Sequence, residues 1–172
     1  MMAKKSQSPT ISPKGNATKY LSYREAWTRI KLARQEGFFF EAITLEESII
    51  TDRLINYLVF VGEIKQPTEV YKYPNFYELL KLWKKSHPMP IAAMGRSNLQ
   101  EAVDQWRILR NKAIHGMVKS HPGSPTEAVD DFLAVAESAA SEGEILARAV
   151  SEWCRKMKRQ LESDRSSLSL DC

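Results

Sequence analysis

A chain of 172 residues with 43% hydrophobic content is one domain with enough burial for a stable core, and no apolar run approaches membrane-spanning length. Two cysteines, Cys154 and Cys172, exclude a disulfide scaffold and a Cys-x-x-Cys metal ribbon. The net charge of +4 does not describe the body of the chain, because the first twenty residues hold Lys4, Lys5, Lys14 and Lys19 and no acid, which accounts for the whole excess; a nucleic-acid site must be a local patch or borrow the tail.

Residues 1–20 are rich in Lys, Ser, Pro and Gly with few bulky apolar groups, a composition that predicts a disordered basic tail. No apolar stretch of signal-peptide type follows the first lysines, so the expected location is the cytoplasm and no membrane partner is expected. Tyr23 to Gln35 carries a helical pattern. After Gly37 a second helix is predicted from Phe38 to Val61, with Ile43, Ile50, Leu54 and Leu58 on one face and Glu47 on that same face. Glu46 and Arg53 flank the stripe. Glu47 reads as an ion pair at the core margin or as a catalytic carboxylate.

Gly62 and Pro67 end that helix. A short helix from Asn75 to Ser86 follows, with Phe76, Leu79, Leu80 and Trp83 inward and Lys81, Lys84 and Lys85 on a solvated face. Pro88 and Pro90 force a loop. The next helix is expected to start at a Ser97 cap, with Gln100 reaching back, and to stop at Gly116 in a left-handed cap. Ser124-Pro125-Thr126-Glu127 fits a capping box for the last helix. Its stripe runs through Val129, Phe132, Ala136, Ala140, Leu146, Val150, Trp153, Met157 and Leu161, and a kink or break near Gly143, or an overhang used in dimerisation, is expected. Residues 164–172 read as a disordered tail. With no β-alternation of useful length, residues 21–163 form an all-α antiparallel bundle of four to six helices.

Between Ser97 and Gly116 the apolar positions Leu99, Ala102, Val103, Trp106, Leu109 and Ala113 define a buried face, and Arg110 falls on it. A guanidinium there needs an anion, a cleft or a stripe edge along which to snorkel. His115 lies about 140° around an ideal helix from Arg110, so the two meet only where the helix ends and its last turn loosens. Asn111 stands one turn below the imidazole, placed to orient it. His115 also suits the role of a C-terminal cap. His87, His115 and His121 lack metal-ligand spacing, so no metal and no cofactor are expected.

A helical bundle with Arg110, Asn111, His115 and Gly116 at a helix end resembles the HEPN superfamily, the higher-eukaryote and prokaryote nucleotide-binding domains. Its ribonuclease members carry an Arg and a His four to six residues apart, often with Asn directly after the Arg. The resemblance covers residues 22–163 in architecture, and in specific residues only this motif. It implies a homodimer that joins two motifs and cuts RNA without metal. Arg110 then stabilises the phosphate, His115 is the acid/base, Asn111 orients them, and Glu47 is the candidate third polar group. An antitoxin or other regulatory protein is an implied partner. Some toxin members have Tyr two residues after the His, where this chain has Met117; others have Lys-Arg after a Glu on the long second helix, whereas Glu47 is followed six residues on by Arg53. The alternative from the residues alone is a non-catalytic helical module that binds RNA, a nucleotide or a protein. In either case the helix from Ser97 to His115, with Trp106 beside Arg110, is the expected dimer face.

Overall fold

A computed structural model describes residues 17–66, 72–116 and 128–168, apart from the side chains of Arg165 and Leu168. Five helices make up this part of the chain: α1 (Ala17–Gln35), α2 (Phe39–Val61), α3 (Phe76–Ser86), α4 (Leu99–Gly116) and α5 (Val129–Leu168). No strand occurs among the described residues, only an isolated bridge between Ala93 and Arg96. The architecture is the all-α bundle that the periodicity predicts. Met117, His121, the box at Ser124 to Glu127, and residues 1–16 and 169–172 lie outside the described residues.

Helix α1 begins at Ala17, six residues before the apolar pattern does, so four residues of the expected tail are helical. The first turns are tied down by polar contacts that periodicity does not see. Lys19 pairs with Asp52 of α2 at 2.9 Å, and the Tyr23 hydroxyl donates to the same carboxylate. Gly37, at φ 77°, ends α1 by letting Phe38 N–H return to the Ala33 carbonyl at 2.7 Å. That tight reversal lays α2 against α1.

Helix α2 is the hub, packing on α1, α3, α4 and most extensively on α5. Ile43, Ile50, Leu54 and Leu58 are fully buried, as the stripe requires. Ala42, Ile49 and Tyr57 are buried too, and they widen the arc because neighbours cover α2 on more than one side. Asn75 caps α3 in a capping box with Glu78, at 3.0 and 3.1 Å. Its lysines are not a purely solvated face: Lys84 pairs with Asp104 (3.0 Å) and Glu101 (3.4 Å) of α4, and Lys85 with Glu63 at 3.7 Å. At the centre Trp153 of α5 meets Trp83, Tyr57 and His87 with ring centroids 5.2, 4.8 and 5.4 Å away.

Helix α5 is one element of 40 residues, about 60 Å long, with no break at Gly143 and no fraying at Asp164. Phe132, Ala136, Ala140, Leu146, Val150 and Trp153 are buried along it, while Val129 at its start is exposed. No helix among the described residues is long and apolar enough to cross a membrane.

Candidate functional site at the end of helix α4

Helix α4 starts one residue later than expected, capped by Asn98, whose Oδ1 accepts from Gln100 N–H at 3.2 Å. Gln100 does not reach back to Ser97. Its buried amide donates instead to the carbonyls of Trp83 (3.2 Å) and His87 (3.0 Å), where it satisfies the end of α3. Leu99, Val103, Trp106 and Ala113 are buried and anchor the helix on the bundle. Trp106 is 1% exposed and donates to the Ala139 carbonyl of α5 at 2.8 Å, so it belongs to the chain's own core and not to a dimer face. Gly116 remains helical and outside the positive-φ region. The ring of Phe132 packs there, 3.3 Å from where a Cβ would stand.

Arg110 lies half-buried at the margin of that face. Its guanidinium donates to the Glu47 carboxylate of α2 and to Asn111 Oδ1 at 2.6 Å, and its Cζ stands 5.7 Å from the Phe76 ring centroid. Arg110 Nε is buried without a hydrogen-bond partner among the described residues. The structure thus joins three of the four residues singled out in the sequence: Arg110, Asn111 and Glu47. Burial pushes the Glu47 carboxyl above its ordinary range, and the Arg110 charge opposes that shift. Glu47 also lines a groove of about 560 Å³ along α2, with Ser48, Thr51, Asp52 and Asn56. The groove offers hydroxyl, amide and carboxylate groups at its wall.

His115 is the residue not brought in. Because α4 stays helical through Gly116, the last turn keeps its geometry, and His115 stays far around the helix from Arg110, exposed, with no hydrogen bond among the described residues. One subunit therefore presents a held guanidinium and a free imidazole at the same helix end, facing different directions.

The buried carboxylate of α2 is Glu46 and not Glu47. Adding Ala42, Ile49 and Tyr57 to the buried arc turns its centre toward Glu46, which is 0% exposed. Neither of its oxygens has a hydrogen-bond partner among the described residues, and burial pushes the group up to about 9, against the pull of Arg34. Phe76 beneath Arg110 had no signal in the sequence, since only the packing of α3 brings it there. Cys154 is a buried free thiol, pushed up to about 12 by burial, which makes it a small core side chain and not a nucleophile. Among the described residues no group of three His, Cys, Asp or Glu side chains is placed to hold a metal ion.

Compared with protein-family models, with curated proteins and with solved structures, the chain matches none of them.

Proposed function

We propose that the protein is a metal-independent endoribonuclease of the HEPN kind, acting as a homodimer whose two α4 ends share one cleft. One observation carries this reading: Glu47 and Asn111 hold the Arg110 guanidinium at the same helix end where His115 stands exposed and uncommitted. A held guanidinium keeps its planar fork and needs little reordering to meet a phosphate. An uncommitted imidazole has a ring nitrogen free to accept or donate a proton.

In the proposed reaction one His115 takes the proton of a ribose 2′-hydroxyl as that oxygen attacks phosphorus. The second subunit's imidazole gives a proton to the departing 5′-oxygen, and Arg110 bears the added negative charge of the phosphorane. The products are a 2′,3′-cyclic phosphate and a 5′-hydroxyl. Two subunits answer the geometric problem of one, whose imidazole and guanidinium diverge. A ribonuclease held in a cell needs restraint, and an antitoxin or regulatory protein belongs to the same reading.

Incubation of the pure protein with total RNA in EDTA tests it. Cleavage with those end groups is expected, and His115→Ala should lower it by about two orders of magnitude. Cleavage abolished by EDTA and restored by magnesium, or full activity in a folded His115→Ala protein, overturns the reading.

A second reading, a helical module that binds RNA without cutting it, has one observation in its favour. Glu47 already occupies Arg110, so a phosphate must displace or share a carboxylate. Binding with no cleavage by any preparation of the dimer is its signature.

A further inference from the structure

A groove of about 620 Å³ runs between α1, α2 and α5, and none of its lining residues belongs to the site at the end of α4. Its cations come from three distant parts of the chain: Arg24 and Lys31 of α1, Arg53 of α2, and Arg148 and Arg155 of α5. No lining residue is acidic. In a chain whose charge is balanced from Leu21 onward, this is the local cationic excess that composition alone did not reveal.

Several acids of the same three helices are already committed. Asp52 accepts from Tyr23 and Lys19, Glu144 takes Arg34 and Arg148, and Glu25 takes Arg29. Among the described residues no carboxylate lies within ion-pair distance of Arg24, Lys31, Arg53 or Arg155, and Arg53 Nε has no hydrogen-bond partner. Cations gathered in this way repel one another until an anion arrives.

Aromatic rings alternate with these charges. Tyr20, Tyr23 and Trp27 line the same groove. The Arg53 guanidinium lies 4.0 Å from the Tyr23 ring centroid, and that of Arg148 lies 4.3 Å from the Trp27 ring centroid. Tyr20 is 68% exposed. From Tyr20 to Lys31 the α1 wall runs about 16 Å. Repeated phosphate-binding cations with planar π faces between them match a strand that carries a charge and a flat base at every step. An acidic peptide supplies the charges and not the planes.

We propose that this groove binds single-stranded RNA, with phosphates on its arginines and lysine and bases stacked on its rings and guanidinium planes. The choice of RNA over DNA rests on the ribonuclease reading; the groove itself does not.

The test uses the full chain and a fluorescein-labelled ten-residue oligouridylate, 2′-O-methylated so that it resists cleavage, in anisotropy titrations over a range of salt. The double substitution Arg24→Glu/Arg155→Glu, at two exposed positions, should weaken binding at least tenfold and reduce the salt slope by about two, with an unchanged thermal melt. Tyr20→Ala should weaken binding and leave the slope alone. Trp83, Trp106 and Trp153 are buried, so fluorescence quenching on binding should come from Trp27 and vanish in Trp27→Phe while binding persists. Wild-type affinity in the charge-reversed protein, absence of quenching, or equal competition by polyglutamate overturns the groove. Equal affinity for an oligothymidylate overturns RNA as its occupant. Binding by a wild-type protein that cleaves no RNA sinks the nuclease reading alone, and cleavage retained with no binding in this groove sinks this proposal alone.

Discussion

The indole of Trp106 lies across Gly143, close enough that a Cβ at position 143 would stand 2.8 Å from its Cζ2. The absent side chain is what lets the indole N–H reach the Ala139 carbonyl one turn earlier on α5. Glu46 uses the same gap, with its Oε2 2.0 Å from that Cβ position. A residue that looked like a helix break is therefore the point of closest approach among α2, α4 and α5.

Gly143→Ala should destabilise the fold. Alanine gains about 1 kcal/mol of helix propensity, but two core side chains must move to admit it, which costs typically 1–3 kcal/mol and more where neither has room. A thermal melt should fall by several degrees, given roughly 2–4 °C per kcal/mol for a chain of this size. A higher melting temperature would show that the gap is not filled as described.

Glu46 makes stability depend on pH in a defined direction. Its carboxyl sits at about 9 in the folded protein against an ordinary 4.5, so the native state holds its proton more tightly than the unfolded chain does. That contribution is intact below about 4.5 and is lost as pH rises toward 9. Glu46→Gln should match the wild type near pH 5 and exceed it near pH 9 in denaturant unfolding. Parallel profiles for the two proteins would show that Glu46 is not the titrating group.

Arg110 and Glu47 should be coupled. Each alanine substitution leaves a half-buried charge without its partner, so the double variant should lose less stability than the sum, by about 1–2 kcal/mol. In single-turnover cleavage Arg110→Lys should remain largely defective, because an ammonium keeps the charge and loses the fork that spans two phosphate oxygens. Full activity in Arg110→Lys would mean that only the charge matters.

The proposed dimer gives Ile108 a role. It is 60% exposed on α4, two residues before Arg110. Ile108→Asp should shift a dimer to monomer in light scattering at tens of micromolar and abolish cleavage, with the melting temperature of the monomer held. A wild-type protein that is already monomeric under those conditions removes the shared cleft.

The class of fold and the approximate place of each helix follow from signals local in the chain. The spacing of Ile43, Ile50, Leu54 and Leu58 and the glycines after α1 and α2 act within a few residues, and local physics reads them correctly. The motif at the end of α4 was visible for the same reason: Arg110, Asn111 and His115 are neighbours in the chain. The remaining features depend on which helices cover which. The stripe of α2 pointed to Glu47, but cover from several sides turned Glu46 into the buried acid and left Glu47 to meet Arg110, 63 residues away. Gly143 reads as a break until α4 is laid against it. The basic groove has no sequence signature at all, because Arg24, Arg53 and Arg155 become neighbours only when α1, α2 and α5 pack, and a one-dimensional pattern carries no information about side chains that converge from three separate helices.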